Sequence, residues 1–211
     1  MITVEAFITL GLASILLSLA PGPDNIFVLT QSALHGRKAG FFVTLGLCTG
    51  LIFHTAAVAF GVAAIFQTSV LAFNILKLIG AAYLIYLAWQ AFKAPGKNIN
   101  SAGRSDPVTP IKLYFRGIIM NITNPKVSIF FLAFLPQFAS PESGAIAPQI
   151  FVLGFIFILV TLLVFNIISL LSSMLGAWLS GSKKAQLYLN KISGTVFLGL
   201  ALKLATSEVK I

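Results

Sequence analysis

Apolar residues fill the chain in long runs separated by short polar turns. A window of about 19 residues resolves six such runs. They cover Phe7–Leu34, Gly40–Phe66, Leu71–Phe92, Leu113–Leu135, Ala147–Leu171 and Leu187–Ala205. At about 1.5 Å of rise per residue, each can cross roughly 30 Å of hydrocarbon as a helix. The pattern therefore predicts an all-α membrane protein of six transmembrane helices. The first run is overlong, which points to a tilt or a break within it.

Two proline motifs interrupt this pattern. Pro21-Gly22-Pro23-Asp24-Asn25 falls inside the first run and Asn121-Ile122-Thr123-Asn124-Pro125-Lys126 inside the fourth. Proline has no N–H to donate and clashes with the carbonyl one turn earlier. Pro21, Gly22 and Pro23 are expected to break helix 1, and Pro125 to break helix 4. The carbonyls freed in this way cannot face lipid, where an unsatisfied polar group costs several kcal/mol; they must face protein or a water-filled cavity. Polar side chains gather at both breaks: Asp24 and Asn25 at one, Asn121, Thr123, Asn124 and Lys126 at the other.

Between the third and fourth runs lies Ala94–Pro110, rich in Pro, Gly, Asn and Ser, which reads as a linker. It divides a single membrane domain into a first three-helix unit (1–93), a linker (94–111) and a second three-helix unit (112–211). Three spans is an odd number, so the second unit enters the membrane from the opposite face. The proline motifs correspond in order, and Lys77-Leu78-Ile79-Gly80 is echoed by Lys191-Ile192-Ser193-Gly194. Together these predict two inverted three-helix repeats, the architecture in which a substrate site sits near the midplane between broken helices.

Composition agrees: 58% of residues are hydrophobic and only 9% charged, against roughly 25% charged in a soluble domain. The net charge of +9 does not point to nucleic acid, because the basic residues form no aromatic-interleaved face. Ten of them lie in the odd-numbered loops: Arg37 and Lys38; Lys93, Lys97, Arg104, Lys112 and Arg116; Lys183, Lys184 and Lys191. Loop two carries no charge and loop four only Glu142. Loops 1, 3 and 5 are therefore expected in the cytoplasm and both termini outside, with loop three able to touch anionic membrane lipid. Ser18-Leu19-Ala20 passes as a cleavage motif, but no Lys or Arg precedes it and Pro21 follows it, so the segment is expected to stay as helix 1.

Chemistry-bearing residues are few. Cys48 is the single cysteine, which leaves no intrachain disulfide and no Cys/His metal spacing. No metal ligands, cofactor or catalytic residues are expected, since there is neither a nucleophile–base set nor an HExxH motif. His54 reads as a packed or pore-facing residue, and Asn166 as a bond to a neighbouring helix. Gly46 and Gly50 permit a close helix contact, and Trp89 and Trp178 suit the interface.

Asp24 and Lys126 are the informative pair. Each is unfavourable by about 2.5–3.5 kcal/mol near a helix centre, and such residues usually face the bundle interior. Under the repeat they occupy equivalent positions with opposite charge. Two readings stay open: a structural ion pair locking helices 1 and 4, or a zwitterion site. In the second, Asp24 and freed carbonyls hold an ammonium group, while Lys126 and exposed helix N-termini hold a carboxylate, with Asn25, Asn121 and Asn124 as further candidate substrate- or proton-binding residues.

The landmarks together resemble the LysE/RhtB family of bacterial amino-acid exporters, over essentially the full length. They are Pro21-Gly22-Pro23-Asp24-Asn25, His35-Gly36-Arg37-Lys38-Ala39-Gly40, Gly80-Ala81-Ala82-Tyr83-Leu84, Asn124-Pro125-Lys126 and Leu135-Pro136-Gln137-Phe138. The resemblance implies a multi-pass inner-membrane exporter of amino acids or close derivatives, driven by protons, with Asp24 as the proton-linked carboxylate. It is nearest to the homoserine, homoserine lactone, threonine and leucine exporters. A carrier this small is compatible with a homodimer. A metal-cation exporter, a channel and a structural membrane subunit are the alternatives.

Overall fold

Proline placement decides where the first and fourth runs stop being straight. The computed structural model of the protein describes residues 4–68, 70–95, 109–172 and 182–206. Its first helix, α1 (Val4–Leu19), stops ahead of Pro21, and α2 (Pro23–His35) begins on Pro23. A proline suits the first helical position because its missing N–H would find no intrahelical partner there. The axes of α1 and α2 meet at 60°. The same device recurs between α5 (Pro110–Ile122) and α6 (Pro125–Ile129), where the run bends by 51°. Beyond α6 come a π-helical turn (Phe130–Phe134) and a short 3₁₀ turn (Leu135–Phe138). Alone, the 16 residues of α1 reach only about 24 Å, so both halves are needed to cross a bilayer.

The straight helices are α3 (Arg37–Thr68), α4 (Val70–Lys93), α7 (Ile146–Leu170) and α8 (Lys183–Thr206). Among the described residues, three helical segments, Arg37–Gly61, Asn74–Lys93 and Ile146–Leu170, are long and apolar enough to span a membrane alone, and counting each bent pair as one span brings the number to five. The sixth predicted run is present as the 24-residue α8. It is long enough to span, but Lys183, Lys184, Lys191 and Lys203 set it apart from the others. Among the described residues there is no strand. Trp178 and most of the linker, with Lys97, Arg104 and Asp106, lie outside the described residues.

Close packing of α3 on α5 rests on glycine. A methyl group on Gly46 would come within 2.1 Å of the Tyr114 carbonyl oxygen, and one on Gly117 within 2.5 Å of the Val43 carbonyl oxygen. The Gly46/Gly50 spacing is thus used as a helix contact. Gly36, at φ 82°, alone joins α2 to α3, a left-handed conformation that side-chain-bearing residues rarely adopt.

Among the described residues, two apolar clusters result. One surrounds the tilted and edge-to-face rings of Phe130, Phe131, Phe134 and Phe157 with Leu10, Leu17, Leu51 and Leu84; the other joins Val28, Val43, Leu47, Leu113 and Phe165. The outer surface is apolar too, with Leu12, Leu16, Phe155, Leu159 and Leu163 all exposed. Such a continuous apolar exterior suits lipid rather than water. Lys93 lies over the exposed Trp89 ring at 4.4 Å, and Asn166 bonds the Leu162 carbonyl of its own helix. The expected bond from Asn166 to a neighbouring helix is therefore replaced by one within α7, a shorter reach for the same amide.

Candidate functional site

The two helix breaks meet inside the bundle and cap one another. In a continuous helix the Leu17 carbonyl would accept the N–H of residue 21, which is proline. Lys126 supplies the missing donor from the other break: its Nζ donates to the Leu17 carbonyl at 3.3 Å and to the Ala20 carbonyl at 3.0 Å. Both acceptors belong to the C-terminal end of α1, where the helix dipole is negative and a cation is favoured. Gly22 leaves the space for it, since a methyl group there would stand 3.0 Å from Lys126 Nζ. The amide of Asn25 closes the remaining gap by donating to the Ser18 carbonyl.

Asp24 is held from the opposite direction. Its Oδ1 accepts from Asn124 Nδ2 at 2.8 Å and its Oδ2 from Asn121 Nδ2 at 3.1 Å. Asn124 is also the N-cap of α6, accepting the Lys126 N–H on Oδ1 at 3.0 Å. Its two ends therefore join the backbone of Lys126 to the side chain of Asp24. Asp24 and Lys126 both stand second in the helix that follows a break, after Pro23 and Pro125.

Both charged residues are buried, Asp24 at 2% and Lys126 at 7% exposure. No direct ion pair joins them among the described residues; each charge is met by amide or carbonyl groups of the other break. They share instead one small cavity, lined also by Leu17, Ser18, Asn121, Val127, Phe157 and Thr161. Its volume open to the centre of a water molecule is about 20 Å³, room for about one water and too little for an amino acid.

The structure thus brings together five of the six polar positions named at the breaks, Asp24, Asn25, Asn121, Asn124 and Lys126, around Pro21, Gly22, Pro23 and Pro125. Thr123 points away, is exposed and bonds Ile119 in its own helix. Two contributors, Ser18 and Thr161, were not singled out for this site from sequence, and His54 was read only as a packed or pore-facing residue. Ser18 and Thr161 lie 3.3 Å apart, oxygen to oxygen, on the cavity wall, and His54 reaches the Asn121 carbonyl. For Ser18, its place four residues before Gly22 in the broken turn was a usable signal. Thr161 had none, because only packing brings α7 to the break. Among the described residues no group of three or more His, Cys, Asp or Glu could hold a metal ion.

A bundle whose broken spans enclose a buried acid and a buried base has the construction of a membrane carrier. Comparison gives the family: residues 15–208 match the LysE type translocator model, and the chain belongs to that family. It is 36% identical over 206 residues to the homoserine/homoserine lactone efflux protein of Salmonella typhimurium, covering 98% of both chains. The protein of that name from Salmonella typhi matches to the same extent. The membrane protein YrhP of Bacillus subtilis is 31% identical over 195 residues, 89% of this chain and 92% of that one. No solved structure matches this chain significantly.

Proposed function

We propose that the protein exports small amino acids or their derivatives, of the neutral amino-acid, homoserine or homoserine lactone class, across the bacterial inner membrane in exchange for protons. The observation that carries this reading is the burial of Asp24 and Lys126 on one cavity between two broken spans. A zwitterion needs an anion and a cation a few ångströms apart and shielded from water, and this pair offers both.

The substrates named for the Salmonella relatives share an amino group and differ at the other end, one a free acid and the other a cyclic ester. Asp24 serves the group they share. Lys126 serves the carboxylate that only the acid carries. In the closed cavity both side chains are engaged by protein groups, so substrate replaces the amides of Asn121 and Asn124 on Asp24, and the carbonyls of Leu17 and Ala20 on Lys126. When substrate leaves to the outside, a proton on Asp24 neutralises it for the return.

The scaffold for this cycle is two inverted three-helix repeats, 1–93 and 112–211, joined by the 94–111 linker, with α8 as the sixth span. Loops 1, 3 and 5 lie in the cytoplasm and both termini in the periplasm. The equivalent placement of Asp24 and Lys126, each second after its break, supports the repeat. The paired lysines Lys183 and Lys184 at the start of α8 support the orientation.

The test is efflux from cells preloaded with a panel of labelled amino acids and homoserine lactone, at matched membrane abundance. Faster efflux of one or a few compounds, abolished by a protonophore, is expected. No difference from empty vector across the panel would sink the reading.

A further inference from the structure

His54 stands on α3, outside the ring of residues that lines the cavity, yet one of its atoms reaches the site. Nε2 lies 3.2 Å from the Asn121 carbonyl oxygen. A carbonyl oxygen only accepts, so Nε2 carries the proton and donates it. The acceptor is available for a reason written in the chain. In a continuous helix the Asn121 carbonyl would take the N–H of residue 125, and residue 125 is proline. The Asn124 N–H takes one lone pair at 3.0 Å, and His54 takes the other.

Asn121 is held on two further sides. Gly50, one turn before His54 on the same face of α3, admits its side chain; a methyl group there would lie 2.6 Å from Asn121 Oδ1. On the other side Asn121 Nδ2 donates to Asp24 Oδ2. The His54 ring is itself backed by Phe131, 5.7 Å between centroids. The result is a continuous path from imidazole to carboxylate through one asparagine.

We infer that His54 is a positioning residue of the Asp24 site. Its Nε2–H pins the carbonyl released by Pro125, which keeps the Asn121 amide on Asp24. What export requires of His54 is this donor, not a proton carried on the ring. The inference rests on the export reading above.

The experiment compares efflux of the compound exported by wild type in His54→Leu, His54→Gln, Asn121→Ala and the His54→Leu/Asn121→Ala double variant, at matched membrane abundance. His54→Leu is expected to lower efflux about tenfold, the scale of one buried hydrogen bond. His54→Gln, whose amide N–H reaches about the same point and cannot titrate, restores most of the loss. With Asn121→Ala already present, His54→Leu has less than about a twofold further effect, because its influence passes through that side chain.

Wild-type efflux in His54→Leu would overturn the inference, as would His54→Gln no better than His54→Leu, or a full additional loss in the double variant. Failure of wild type to export anything would count against the export reading itself. Normal wild-type export with an unaffected His54→Leu variant would remove the His54 role alone.

Discussion

Lys126 Nζ lies 3.3 Å from the carbonyl oxygen of Leu17, the acceptor that Pro21 leaves without an amide. The lysine of one break is therefore the missing hydrogen-bond donor of the other. Asp24 stands in the reciprocal relation, accepting two amides from the break around Pro125. Neither charge neutralises the other by contact. Each charge instead has its own hydrogen-bond partners, where a buried polar group left alone would cost about 1–3 kcal/mol.

Exchanging the charges discriminates between a contact pair and this cross-capped arrangement. With Asp24→Lys and Lys126→Asp combined, an ammonium would face the amide donors of Asn121 and Asn124, and a carboxylate would face the carbonyls of Leu17 and Ala20. The double exchange is expected to be no better than either single variant in membrane abundance and in efflux. Recovery in quantitative membrane blots would contradict it.

Asp24→Asn removes the charge and one of the two acceptor oxygens, leaving one amide donor without a partner. Efflux is expected to fall to the empty-vector level. Thermal stability in detergent should drop modestly, by about 1–3 kcal/mol. Retained efflux at normal abundance would show that Asp24 does not bind substrate or proton.

Lys126→Gln separates acid from ester. An amide can still donate to the Leu17 or Ala20 carbonyl but brings no positive charge to a carboxylate. The expected outcome is a homoserine efflux rate reduced by about tenfold or more relative to homoserine lactone, the order of a charge-assisted hydrogen bond. An unchanged ratio of the two rates would count against a carboxylate at Lys126.

Gly50→Ala places a methyl group 2.6 Å from Asn121 Oδ1 and 2.7 Å from its Cβ. The clash includes the Asn121 Cβ, close to its backbone, so the variant should lose about 1–3 kcal/mol of stability and most of its efflux. Gly11→Ala is the comparison, since nothing lies within 4 Å of the added methyl. It should be neutral or more stable by about 0.5–1 kcal/mol, as read by melting of the purified protein.

Much of the fold was legible because lipid imposes a simple rule. Long apolar runs must be helices, and the straight helices α3, α4 and α7 lie within a few residues of the predicted runs. Pro21, Pro23 and Pro125 also announced their breaks, since proline acts on its own backbone. His54 was not legible in this way. Its partner is a carbonyl 67 residues away, and an isolated histidine in an apolar helix gives no sign of what it faces. Asn166 misled for the converse reason, as an amide in lipid can be satisfied one turn back in its own helix.

By itself, the sequence determined where the helices run, where two of them break, and that Asp24, Asn25, Asn121, Asn124 and Lys126 gather at those breaks. These are local consequences of hydropathy and of the missing proline N–H. Only the tertiary structure decided which carbonyl each donor satisfies, and that Asp24 and Lys126 share a cavity without pairing. It also decided that Ser18, Thr161 and His54 join them. Those outcomes depend on how closely α1, α3, α5 and α7 approach, and the approach is set by packing between segments far apart in the chain, which no local pattern encodes.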